Sequence, residues 1–323
     1  MDILRKQWES HCFLNHGACG QKGKTMNEIH SGDSNLITRN ALDAYLIETR
    51  YLNAGKPDVS LTVFGKTFES PIMTGALSHL DRHLYPGAMR DLAKGAAMAG
   101  TVAWIGMEND KTIEQCVETG AAVIEVIKPY RDRDFLRAKM KHAAECGVMA
   151  IAIDIDHPFA KDGGPDFVDG QEMAPVTTDE LAEYCRESPL PLMVKGVLSV
   201  RDASLAVEAG AAGMVVSHHN GRIPFAWPAI EVLPEISGLT AGKVLLFADG
   251  DVRSGVDAFK LMANGAKAVS AGRILIPELE KNGPEGVRDA LVRMRKELSG
   301  IMACTGCRCL EDMEPSLLHR RNF

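Results

Sequence analysis

The chain has 323 residues, 46% of them hydrophobic, which is enough apolar material for one large core. A formal net charge of −7 argues against a nucleic-acid footprint, and no apolar run approaches the roughly 20 residues that cross a bilayer. Met1-Asp2-Ile3-Leu4-Arg5-Lys6 lacks the apolar core of a secretion signal, so a cytoplasmic protein with reduced thiols is expected.

Residues 1–50 read as a polar N-terminal extension, with a helix from Asn35 to Tyr51 that packs on the main domain; residues 51–323 read as that domain. Eight short β-branched or apolar runs predict strands at Pro71–Leu77, Thr101–Gly106, Ala122–Ile127, Ala150–Asp156, Pro191–Gly196, Gly213–His218, Val244–Asp249 and Ala268–Gly272. Amphipathic helices alternate with them at Gly87–Ala99, Thr112–Glu118, Arg133–Cys146, Thr178–Glu187, Val200–Glu208, Pro228–Ile236, Gly255–Ala263 and Pro284–Cys304. Several end at a glycine placed for a left-handed cap, as in Cys146-Gly147 and Ala209-Gly210. Eight β–α units over about 230 residues predict a TIM (β/α)8 barrel. A doubly wound open sheet does not call for eight units, and no Gly-x-Gly-x-x-Gly follows the first strand.

A barrel places its chemistry at the C-terminal strand ends and its phosphate site after strands seven and eight. Strand four ends Asp154-Ile155-Asp156-His157, with both carboxylates on one face; a solvated end, a metal pair and an acid orienting a histidine all fit. Strand five ends in Lys195, a buried ammonium that needs an anion from a cofactor or a carboxylate. Strand six ends Ser217-His218-His219-Asn220-Gly221-Arg222, where alternation puts Ser217 and His219 on one face and His218 on the other. Strands seven and eight end in Asp249-Gly250-Asp251-Val252-Arg253-Ser254-Gly255 and Gly272-Arg273. Glycines that admit backbone N–H groups, and two arginines, suit a phosphate.

Over residues 36–310 the chain resembles the FMN-dependent α-hydroxy-acid oxidase and dehydrogenase family. The resemblance is carried by Val194-Lys195-Gly196, Ser217-x-His219-x-Gly221-Arg222, Pro228-Ala229, Leu233-Pro234-Glu235-Ile236, Asp249-Gly250-x-Val252-Arg253-x-Gly255 and Gly272-Arg273, in the family's order and spacing. It implies FMN as cofactor, His219 as the base, Asp156 as the acid that orients and charges it, Arg222 on the substrate carboxylate, and Lys195 near flavin N1. It also implies that Asp249, Gly250, Asp251, Arg253, Gly272 and Arg273 meet the ribityl chain and phosphate, that Ala76, Leu77 and Ser78 border the isoalloxazine, and that Ser217 is a further flavin contact. A homo-oligomer, commonly a tetramer, and a small anionic substrate come with it.

The chain departs from the family pattern on the substrate side. The substrate tyrosine is missing and Lys128 stands in its place; the strand-two serine is Gly106; the threonine before the catalytic aspartate is Asp154. The second substrate arginine is absent near Asp162-Gly163, one phosphate-loop glycine is Asp251, and the N-terminal tyrosine has no match near Phe13-Leu14. Lys128, His79, His157 and Asp154 are the candidates for a rebuilt pocket. Two other functions fit the residues: a flavin-free lyase, isomerase or aldolase acting on a phosphorylated substrate, with Lys195 as Schiff-base lysine or Asp154 and Asp156 as metal ligands, and a flavin-binding protein with a degenerate site. Cys304-x-x-Cys307-x-Cys309 allows a metal, with Cys12, Cys19, His11 or His16 as a fourth ligand, or a redox disulfide, or plain reduced thiols. A resident metal is not the expectation.

Overall fold

The computed structural model describes residues 32–321. Eight strands form one parallel sheet: β1 (Ile72–Thr74), β2 (Val102–Ile105), β3 (Ala122–Ile127), β4 (Ala150–Asp154), β5 (Leu192–Val197), β6 (Gly213–Val216), β7 (Leu245–Ala248) and β8 (Ala268–Ala271). From β2 to β8 each strand pairs with the next, and β8 returns to β1 with Val269 opposite Ile72. The remaining seam, between β1 and β2, is joined by a bridge of Leu77 to Ile105 and by Thr74, whose hydroxyl donates to the Trp104 carbonyl and accepts its N–H. The result is a TIM barrel.

The strands are largely apolar along their length because both of their faces are covered. Every residue of β4, Ala-Ile-Ala-Ile-Asp, is buried, as a parallel strand between a barrel interior and a helix layer must be. The interior is packed solid: Trp104 of β2 meets Phe247 of β7 edge to face, with centroids 5.5 Å apart, and its indole N–H points at the Met73 sulfur. The helices start where a short polar side chain accepts their first free N–H groups. Asp132, Thr177, Ser199 and Ser254 cap Arg133–Cys146, Thr178–Glu187, Val200–Glu208 and Gly255–Ala263, which occupy their expected bounds. Each such cap contributes about 1 kcal/mol.

Several expected elements differ in type or bounds. The helix expected over Asn35–Tyr51 runs only over Ser34–Asp43, and Tyr45–Ile47 is instead a strand paired antiparallel with Leu318–Arg320. That pairing partner lies at the far end of the chain, so tertiary contact overrides local helix propensity. At the C-terminal end two helices abut at Gly283, whose backbone is non-helical (φ 57°, ψ −143°): residues 284–304 form the expected last helix, and residues 276–282 add a short helix before it that was not expected. Finally, β4 stops at Asp154 and β6 at Val216, so Asp156, His218 and His219 lie in the connecting segments beyond their strands. Among the described residues no helix is long and apolar enough to cross a membrane.

Glu125 of β3 is buried, and one of its carboxylate oxygens lacks a hydrogen-bond partner. Burial pushes its pKa up to about 7, against the charges of Lys139 and His142. A raised folded-state pKa means that the fold keeps a proton that the unfolded chain has lost, so stability contributed below about pH 4.5 is lost as pH rises towards 7. Relative to wild type, Glu125→Gln is therefore expected to gain about 3 kcal/mol between pH 4.5 and pH 8. Denaturation at both pH values tests this; an unchanged difference would rule it out.

Candidate active site

Three neighbouring strands bring their last inward side chains to one level at the barrel mouth. Lys195 of β5 is registered opposite Asp154 of β4, and Lys128 follows directly on β3. Asp154 is fully enclosed and receives Lys128 Nζ at 2.5 Å and Lys195 Nζ at 3.2 Å. Burial alone would raise its pKa, but His219, Lys128 and Lys195 more than reverse that and hold the carboxyl well below the usual range. Lys195 is the converse. Burial works against its charge, and Asp154, Asp156 and Asp249 outweigh burial and keep it an ammonium.

His219 stands at the centre of this group. Val216 ends β6, and the chain turns through left-handed backbone at His219 (φ 47°) and Asn220 (φ 58°). Ser217 Oγ accepts the His219 N–H at 3.0 Å and so braces the turn. His219 Nδ1 lies 2.8 Å from Asp156 Oδ1, 3.4 Å from an Asp154 oxygen and 3.2 Å from Lys195 Nζ. With Nδ1–H donated to Asp156, Nε2 carries the lone pair that can take a proton. Burial would lower the pKa of the ring, yet Asp154 and Asp156 prevail and raise it. Asp156 fits there only because position 196 is glycine. It sits at a bulge in β5 with φ 91°, and a Cβ on it would come within 2.4 Å of the Asp156 carboxyl.

His218 points away and serves the scaffold. Its Nδ1 accepts the Gly221 N–H at 2.9 Å, which leaves Nε2–H to donate to Thr38 Oγ1 at 2.7 Å and tie the turn to the N-terminal helix. Burial lowers its pKa.

The β4 connection folds back over the mouth as a small hairpin, Phe167–Val168 with Gln171–Glu172. Asp166 at its base accepts from Arg222 Nη2 at 2.6 Å and from His157 Nδ1 at 3.1 Å. Arg222 also donates to the Phe159 carbonyl, so the expected substrate arginine is held by this connection. Burial first, then the charges of Lys128 and His219, depress the His157 pKa and keep the ring neutral; it rests on His219 with centroids 4.6 Å apart. The hairpin tip is pinned by Arg82 to Asp169 at 3.1 Å. Beneath it lies a small cavity lined by Ser78, His79, Met107, Lys128, His157 and Val168.

At the opposite rim, Gly250 (φ 108°) and Asp251 (φ 58°) form the turn after β7. Arg253 Nε donates to Asp251 Oδ1 at 2.7 Å, and Arg273 donates to Asn35 Oδ1 at 2.9 Å. Arg39 from the N-terminal helix arrives here as well, with Nη2 donating to Asp257 at 2.7 Å. Asp249 follows β7 directly, its N–H donating to the Val216 carbonyl at 3.2 Å.

Sequence reasoning missed Asp166 and Arg39. Neither carried a local signal, since their partners lie 56 and 218 residues away. Asp154, Asp156, His157 and His219 each offer an atom to a common point, within 4.8 Å of one another. Two ammonium groups already neutralise Asp154, however, and His157 Nδ1 is committed to Asp166, so the donor set is that of a hydrogen-bonded acid–base cluster. Cys304, Cys307 and Cys309 are free thiols and form no ligand group among the described residues; the suggested partners His11, Cys12, His16 and Cys19 lie outside those residues.

The mouth suits FMN. Where β1, β2 and β8 meet there is no room for side chains: a Cβ at Gly106 would lie 2.3 Å from Ser78 Oγ, and one at Gly75 2.7 Å from the Cα of Gly272. The chain at Ala76–Ser78 is held close against β2, with the Gly106 N–H donating to the Leu77 carbonyl at 2.8 Å and Ser78 Oγ accepting the Met107 N–H at 3.0 Å. A buried ammonium at Lys195 and the arginines Arg253 and Arg273 after β7 and β8 match the two anionic regions of a reduced flavin mononucleotide.

Residues 29–173 and 159–320 match a family model described as FMN-dependent dehydrogenase. Glycolate oxidase 1 of Oryza sativa subsp. indica is 30% identical over 312 residues, covering 85% of this chain and 84% of the rice protein. An L-lactate oxidase of Nostoc sp. is 30% identical over 308 residues, covering 81% of this chain and 83% of that one. Among solved structures, mandelate oxidase superposes with a TM-score of 0.80 at 27% identity over 90% of both chains. A mandelate oxidase variant carrying a monooxide FMN adduct gives 0.79 at 27% identity, over 90% of this chain and 92% of the other.

Proposed function

The chain belongs to the FMN-dependent dehydrogenase family, as an FMN-dependent oxidoreductase of α-hydroxy acids, and within that activity we propose that His219 is the base, Asp156 its orienting acid, and Arg222 and Lys128 the cations that meet the substrate carboxylate. Family membership sets aside the flavin-free lyase, isomerase or aldolase. The observation that carries the assignment is the His219–Asp156 pair at the barrel mouth, with Nδ1 committed to Asp156 at 2.8 Å and Nε2 left as the proton acceptor.

FMN, when bound, supplies the two-electron acceptor, and would be held by Lys195, by the Ala76–Ser78 and Gly106 backbone, by Ser217, and by Asp249, Gly250, Arg253, Gly272 and Arg273, with Asp251 standing among the last group. His219 Nε2 takes the substrate proton, and Asp156, with Asp154 behind it, stabilises the imidazolium that results. Lys195 keeps a fixed positive charge beside this pair. Arg222 and Lys128 are already paired with carboxylates, Asp166 and Asp154. A substrate carboxylate would replace Asp166 on Arg222 like for like. A homo-oligomer belongs to the same proposal and is supported by the family resemblance alone.

The test is anaerobic mixing of the FMN-loaded protein with glycolate, L-lactate and mandelate, followed by loss of the oxidised flavin absorbance. At least one is expected to bleach the flavin, and Arg222→Ala is expected to raise the half-saturating concentration by about tenfold or more. Bound FMN that none of the three reduces would favour a degenerate flavin-binding site instead.

A further inference from the structure

Asp251 stands where a barrel gathers positive charge for a phosphate, in the turn after the seventh strand. Its side chain is only 6% exposed. Oδ1 accepts from Arg253 at 2.7 Å; Oδ2 lies 3.6 Å from Arg39 and has no hydrogen-bond partner of its own. Arg39 Nη1 also donates to the Asp251 carbonyl at 3.4 Å, while Nη2 is taken by Asp43 and Asp257, both at 2.7 Å, and Nε by Asp43 at 3.1 Å. The two arginines that face the turn are thus neutralised from within. The backbone at Asp251 is left-handed, φ 58°, a conformation that glycine adopts freely and aspartate does not.

We propose that Asp251 is an internal anion at the phosphate end of the flavin site, competing with the phosphate for Arg253 and Arg39 and making FMN an exchangeable rather than a permanently held cofactor. This rests on the FMN reading above. A phosphate that enters brings like charge against an enclosed carboxylate, so loading requires Asp251 to turn out or to take up a proton. Burial already pushes the Asp251 pKa upward, in the direction that eases the second route. Riboflavin, which has the same ring but no phosphate, escapes the conflict.

Fluorescence titration of the flavin-free full chain with FMN and with riboflavin tests this in wild type, Asp251→Gly and Asp251→Asn. Both variants are expected to bind FMN about tenfold tighter or more, with riboflavin affinity little changed. Asp251→Asn separates charge from backbone strain, because it retains the side-chain shape and the left-handed position. FMN affinity that is equal or weaker in Asp251→Asn overturns the proposal, as does an equal gain for riboflavin, which would place the effect on the ring. Identical tight FMN binding by all three proteins overturns this proposal alone; no binding of FMN by any of them overturns the FMN reading with it.

Discussion

Replacing His219 with glutamine is expected to slow substrate reduction of the bound flavin by about 10³–10⁴-fold, with the flavin spectrum of the oxidised protein retained. Glutamine fills similar space and can donate to Asp156 as Nδ1–H does, but it offers no basic nitrogen at the position of Nε2. The pH profile gives a second readout. His219 must be neutral to accept a proton, and Asp154 and Asp156 raise its pKa above the ordinary 6.5. Activity is therefore expected to climb as pH rises through that raised value. Asp156→Asn removes one of the two charges responsible, so it should shift the acid limb to lower pH while reducing the maximal rate by about 10²-fold. A rate loss with an unmoved limb would mean that Asp156 only holds the ring in place. Full activity in His219→Gln would remove His219 from the chemistry altogether.

The barrel was legible because its signals are local. An apolar stripe recurs along the series, several helices end at a glycine, and Arg133–Cys146, Thr178–Glu187, Val200–Glu208 and Gly255–Ala263 start at a polar cap and hold their expected bounds. The placement of Lys195 beside Asp154 was half legible. Each residue ends a readable strand, but only the register of β4 against β5 makes them opposite. The pairing of Asp166 with Arg222 was illegible, because a single aspartate in a polar loop says nothing about an arginine 56 residues on. The same holds for the strand at Tyr45–Ile47, whose partner is Leu318–Arg320. His219 illustrates a different limit. Alternation along a strand pointed to it, yet β6 ends at Val216, and what aims the ring at Asp156 is a left-handed turn braced by Ser217.

Lys128→Met is expected to destabilise the protein by about 3–5 kcal/mol, a drop of roughly 10 °C in the thermal midpoint. The reason lies in Asp154, which is 1% exposed and depends on Lys128 at 2.5 Å and Lys195 at 3.2 Å for its charge. Losing the nearer ammonium leaves a buried carboxylate with only Lys195 and His219 to compensate it. Asp154→Asn is also expected to destabilise, since it leaves two ammonium groups facing an amide. The double variant Lys128→Met/Asp154→Asn removes one charge of each sign, leaves Lys195 with Asp156 and His219 as neighbours, and is expected to recover at least half of the loss. Substrate binding separates the two roles given to Lys128. If it also meets the substrate carboxylate, the double variant regains its thermal midpoint but not its KM, which stays raised by about tenfold or more. Recovery of both would make Lys128 a structural partner of Asp154 and leave Arg222 as the cation that holds the substrate.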